Sequence, residues 1–188
     1  MSNNTLILLR HGQTKVDSIL PIAQWVLTEA GEQISDLLKE VEYFQDVDII
    51  ICSTEPKSYQ TIKPLLDKLG KNVIKYEEIS ELQRPGPLMG YGKYEETVKK
   101  TLENRGQSFE KWETANHALN RFSKKIEEID GLFEGKKILI VGHAYTMNLY
   151  FAKLLNKLDD IHKRLETNKF SDYGIIKNGI VLKDIASL

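Results

Sequence analysis

Thr5-Leu6-Ile7-Leu8-Leu9-Arg10-His11-Gly12 is the stretch on which the fold turns. Its first five residues are strand-forming, and from Leu6 to Leu9 no polar residue marks a solvent face. Such a run suits a strand buried on both sides of a parallel sheet. The run then stops on an arginine, a histidine and a glycine. The same arrangement recurs twice: residues 47–52 lead into Ser53 to Lys57, and residues 137–141 lead into Gly142-His143-Ala144. Helical patterns lie around and between these strands, at 29–43 behind a Thr28 cap, 56–69 ending at Gly70, 108–132 and 146–155. Strand followed by helix, repeated, is an α/β signature. Residues 73–76 read as a further strand. Residues 173–176 and 180–185 flank Asn178-Gly179 and read as a hairpin with a type I′ turn. The expectation is a three-layer α/β/α sandwich with a mostly parallel mixed sheet.

Composition narrows the function. The chain has 188 residues, 26 Lys+Arg against 27 Asp+Glu, and a formal net charge of −1. That balance gives no electrostatic footprint for nucleic acid or a membrane surface. Residues 1–188 are expected to form one domain, with a short helical insertion or lid at about 84–103, the Pro- and Gly-rich segment. No apolar run approaches the ~20 residues that span a bilayer, so a cytoplasmic protein is expected. The single cysteine, Cys52, reads as a buried, inert thiol. Four scattered histidines offer no metal-ligand spacing, and no cofactor is expected.

Ligands of open α/β sheets bind beyond the carboxyl ends of the strands. Three segments distant in sequence therefore converge, bringing Arg10, His11, Lys57 and His143 around one small space. Cationic side chains, imidazoles and helix N-termini together suit a tetrahedral oxyanion, and phosphate is the natural guest. His117 and His162 stand in helical, charge-rich surroundings and read as solvated or capping side chains outside the site. Trp25 and Trp112 read as packing residues. The charge run from Lys163-Arg164 to Lys169 reads as a solvated surface.

Leu8-Leu9-Arg10-His11-Gly12-Gln13-Thr14 resembles the opening motif of the histidine phosphatase superfamily, in its phosphoglycerate-mutase-like branch. Further pieces match in order. Leu27-Thr28-Glu29-Ala30-Gly31 resembles the family's helix start, Ser53 with Gln60-Thr61 its second phosphate-pocket segment, and Val141-Gly142-His143-Ala144 its second histidine motif. The resemblance implies a phosphoglycerate-mutase-like fold, His11 as nucleophile, His143 beside it and Glu81 as proton donor. It places Arg10, Gln13, Thr14, Asp17, Lys57 and Ala144 on the substrate side.

Two positions depart from the family pattern: Lys57 stands where most members carry the second pocket arginine, and Asp17 where asparagine is commoner. Lysine is a point charge without the bidentate fork. Arg84, three residues beyond Glu81, is a candidate to supply the missing guanidinium. The reading that follows is a metal-independent phosphomonoesterase working through a phosphohistidine on a small phosphorylated substrate. An apolar and tyrosine lining from Met89, Tyr91 and Tyr94 would suit an organic leaving group. Two alternatives stay open: a mutase, and a pseudophosphatase that binds phosphate or a phosphoprotein without turnover. The sequence leaves the oligomeric state open.

Overall fold

The computed structural model describes residues 2–187. Its strands are β1 (Thr5–Arg10), β2 (Ile49–Ser53), β3 (Val73–Tyr76), β4 (Lys137–Gly142), β5 (Tyr173–Lys177) and β6 (Ile180–Lys183). They form one sheet in the order β3-β2-β4-β1-β5-β6. The first four are parallel, while β5 lies antiparallel to β1 and β6 antiparallel to β5. Asn178 and Gly179 both take positive φ, 52° and 75°, as the type I′ turn of this hairpin requires.

Along each central strand successive side chains face opposite layers, and both layers bury them. Leu6, Leu8, Ile51, Ile138 and Ile140 face α4 (Ala115–Leu132) and α5 (Ala144–Leu154), where Phe122, Met147 and Phe151 close the core. Ile7, Leu9, Ile50, Cys52, Leu139 and Val141 face the other layer, built on α1 (Glu29–Leu38) and α2 (Pro56–Leu69). The strands are apolar throughout because both faces are covered. Cys52 has no exposed surface, and burial pushes its thiol up to about 11, so it stays protonated and unreactive.

Three helix limits differ from the sequence reading. α1 stops at Leu38 instead of 43, because the Gln45 amide donates to the carbonyls of Lys39 (2.6 Å) and Val41 (3.0 Å), and Phe44 turns into the core. α4 starts after Thr114, whose hydroxyl accepts from the N–H of His117 (3.1 Å), since Glu110 and Lys111 take positive φ and cannot continue a helix backwards. α5 begins two residues before the expected 146, which turns its first N–H groups towards the strand ends. Segment 84–103 carries α3 (Tyr91–Glu103).

A sixth helix, α6 (Ile161–Thr167), lies in the charge run taken as solvated surface. That expectation is corrected at Arg164, which has no exposed surface and forms two bonds to Asp184, 2.9 and 2.5 Å. A bidentate arginine is the cation best able to sit in a core. None of the described helices is long and apolar enough to cross a membrane.

Candidate active site

Parallel register builds the site. Arg10 pairs with Gly142, and Cys52 with Val141, so β1, β2 and β4 end on one edge. His11, Ser53 and His143 are the residues at or just past those ends. Gly12 packs against the start of α1, and its N–H donates to Thr61 Oγ (2.8 Å), whose hydroxyl donates to the Lys57 carbonyl (2.7 Å). Gly31 has no room for a side chain, because a Cβ there would lie 2.3 Å from the Gln13 carbonyl oxygen. The turn after β1 is thereby wedged between α1 and α2.

The two imidazoles stand 5.1 Å apart, centroid to centroid, and both are buried. His11 Nδ1 lies 2.7 Å from the Gly12 carbonyl oxygen. A carbonyl only accepts, so Nδ1 carries the proton and Nε2 keeps its lone pair. Burial, with His143, Lys57 and Arg10 nearby, holds His11 well below the usual histidine value, against a smaller raising effect of the Gly12 bond. His143 Nε2 contacts Ser53 Oγ (2.7 Å), Ser58 Oγ (3.2 Å) and Glu55 Oε1 (3.4 Å), while its buried Nδ1 has no partner. Burial, then Lys57, Arg84, Arg121 and Arg10, hold His143 well below the usual value too. The free site therefore favours two neutral imidazoles.

A cleft of about 640 Å³ opens over His11, lined by Arg10, Thr14, Lys57, Glu81, Arg84 and Ala144 among others. The Arg10 guanidinium lies 4.3 Å over the Phe170 ring and bonds the Asn168 carbonyl. Lys57 is almost fully buried, with Nζ donating to the Ile22 carbonyl (2.8 Å) and paired with the Glu55 carboxylate. Arg84 sits among the rings of Tyr94, Trp112 and Tyr145, bonded to the Tyr94 hydroxyl. The Glu81 carboxylate accepts from the N–H groups of Leu82 (2.9 Å), Tyr145 (3.1 Å) and Thr146 (3.2 Å), the last two at the start of α5. A neighbouring and larger depression, about 840 Å³, shares Ile22, Glu81 and Arg84 but neither imidazole.

Two sequence-derived candidates stay outside the cleft. The Asp17 carboxylate turns back to accept from the N–H groups of Ile19 (2.8 Å) and Leu20 (3.1 Å), a local turn that lowers its pKa, and it pairs with neither Lys57 nor Arg84. The Gln13 amide oxygen is 3.3 Å from the Thr28 hydroxyl, at the helix start. His162, read as a solvated or capping side chain, instead lines the cleft beside Leu165 and Phe170, its Nε2 buried and without a partner. Tyr91 and Tyr94 line the same outer wall, whereas Met89 packs against the core. Trp25 is both packed and a cleft wall. Glu55 escaped the sequence reading. It occupies the cap position of α2 yet makes no capping bond, its carboxylate turning inward. Among the described residues no three His, Cys, Asp or Glu side chains gather as a metal would require.

The match to the histidine phosphatase superfamily (branch 1) model runs over residues 6–176, so the chain belongs to that superfamily. No curated protein sequence matches it. Solved structures that share the fold include the mycobacterial glucosyl-3-phosphoglycerate phosphatase, 15% identical over 97% of this chain and 99% of that one, with a TM-score of 0.79. Bacillus stearothermophilus YhfR is 18% identical over 98% of both chains, TM-score 0.78. Entamoeba histolytica phosphoserine phosphatase is 18% identical over 96% of this chain and 95% of that one, TM-score 0.72.

Proposed function

We propose that this protein is a phosphomonoesterase whose nucleophile is His11 Nε2. One observation carries the reading: the Gly12 carbonyl fixes the proton on Nδ1, so the lone pair of a neutral imidazole stands among Arg10, Lys57 and Arg84. Nε2 forms a bond to phosphorus as the phosphorus–oxygen ester bond breaks, and Glu81 gives a proton to the departing alcohol. The ionised Glu81 then takes a proton from water, whose oxygen displaces Nε2 and releases inorganic phosphate. Arg10, Lys57 and Arg84 hold the equatorial oxygens, where charge gathers. His143 enters the reaction neutral and becomes a cation only against the phosphoryl dianion. Phosphatases of the same fold acting on glucosyl-3-phosphoglycerate and phosphoserine support a small phosphorylated substrate.

His11→Ala is expected to abolish hydrolysis of p-nitrophenyl phosphate and any acid-labile phosphoryl label on the protein. Retention of more than about one hundredth of wild-type activity would exclude His11 as nucleophile. A pocket lined by cations is expected to work unchanged in EDTA, and activity lost there and restored by a divalent ion would overturn the mechanism. Phosphate binding without turnover would favour the pseudophosphatase reading.

A further inference from the structure

Glu55 is a carboxylate with only 6% exposure that reaches three parts of the site at once. Oε1 accepts from the backbone N–H of Glu81 (2.8 Å) and lies 3.4 Å from His143 Nε2, while Oε2 pairs with Lys57 Nζ. A lysine ammonium has three N–H donors on a flexible stem. Here one goes to the Ile22 carbonyl and the ammonium is paired with the Glu55 carboxylate, two contacts that fix the stem where it borders the cleft. The same carboxylate oxygen stands beside the His143 ring, whose Nε2 also contacts Ser53 and Ser58 and whose buried Nδ1 has no partner.

We propose that Glu55 is the positioning residue of this phosphoryl pocket: it orients Lys57 and His143 and is the internal counter-ion that keeps the empty site from binding phosphate too tightly. The inference rests on the phosphatase reading. It explains how lysine serves where a guanidinium fork is usual: a second residue supplies the orientation that the fork would provide.

The test is Glu55→Gln, which keeps the shape and removes the charge. Its kcat for p-nitrophenyl phosphate is expected to fall about 10- to 100-fold, as when a group orienting a reacting partner is lost. Inorganic phosphate, measured by calorimetry, is expected to bind about 10-fold tighter, the effect of one screened charge a few ångströms away. A merely structural role would weaken both. On a Lys57→Ala background the same substitution is expected to cost much less. Should Glu55→Gln fail to fold, Glu55→Asp keeps the charge on a shorter stem, and is expected to lower kcat with phosphate affinity unchanged. Wild-type kcat and phosphate affinity in either folded variant, or weaker phosphate binding in both, overturns the inference while the phosphatase reading stands. A wild-type protein that neither hydrolyses the ester nor binds phosphate overturns the phosphatase reading, and this inference with it. If the wild type binds phosphate without turnover, affinity alone decides, with tightening in Glu55→Gln supporting the inference and its absence refuting it.

Discussion

Lys57 and Arg164 are both cations buried against a carboxylate, and they differ in what lies beside each. Arg164 places two nitrogens on Asp184 and lines no cleft; its work is to fasten α6 to the chain end beyond β6. Lys57 also has a carboxylate partner, but its side chain borders the cleft over His11. A buried ion pair alone therefore says little about function. The cleft that Lys57 borders, and Arg164 does not, makes the distinction.

That contrast is breakable. Arg164→Ala is expected to cost the most stability, about 3–5 kcal/mol, because it strands a carboxylate. Denaturant unfolding measures the loss, while kcat per folded molecule should change far less. A collapse of kcat without a loss of stability would erase the distinction. Lys57→Ala should show the reverse weighting, with kcat/KM falling about 10- to 1000-fold, as for one transition-state donor. Lys57→Arg sharpens the point. A longer guanidinium would have to displace the Ile22 carbonyl or Glu55 that Lys57 Nζ now contacts, so steady-state kinetics should show a fall in activity, on the order of 10-fold. A rise would mean that lysine is a decayed arginine.

The smallest effect concerns pH. His11 and His143 are held below their ordinary value of 6.5 chiefly by burial, so the unfolded chain takes up protons that the folded site refuses. Stability contributed by these groups is complete above pH 6.5 and declines as pH falls below it. Denaturant midpoints at pH 7.5 and 5.5 check this, and the decline should be shallower in His143→Ala.

The sheet was legible because its strands are buried on both faces, so that residues 5–9 and 137–141 announce themselves without a polar interruption. Arg10, His11, Lys57 and His143 were legible for the same reason, as the residues that follow such runs. Glu55 was not. It lies two residues before Lys57, a spacing that no helical face brings together, and only the turn into α2 folds its carboxylate inward. His162 was hidden in a seven-residue helix too short for a clear amphipathic pattern. Asp17 followed its position in the motif, yet two nearby backbone N–H groups decided its direction.

β1 stands between β4 and β5, so a strand at residues 5–10 has both its neighbours more than 120 residues further along. Its apolar residues stay unpaired until Lys137–Gly142 and Tyr173–Lys177 have been made, which places this fold among those with many non-local contacts and slow folding. A nascent chain halted before β4 would present Leu6 to Leu9 and Ile49 to Cys52 to the chaperone machinery with neither sheet face complete. His11 and His143 come together at the β1–β4 pairing, so the candidate site assembles only when the centre of the sheet does.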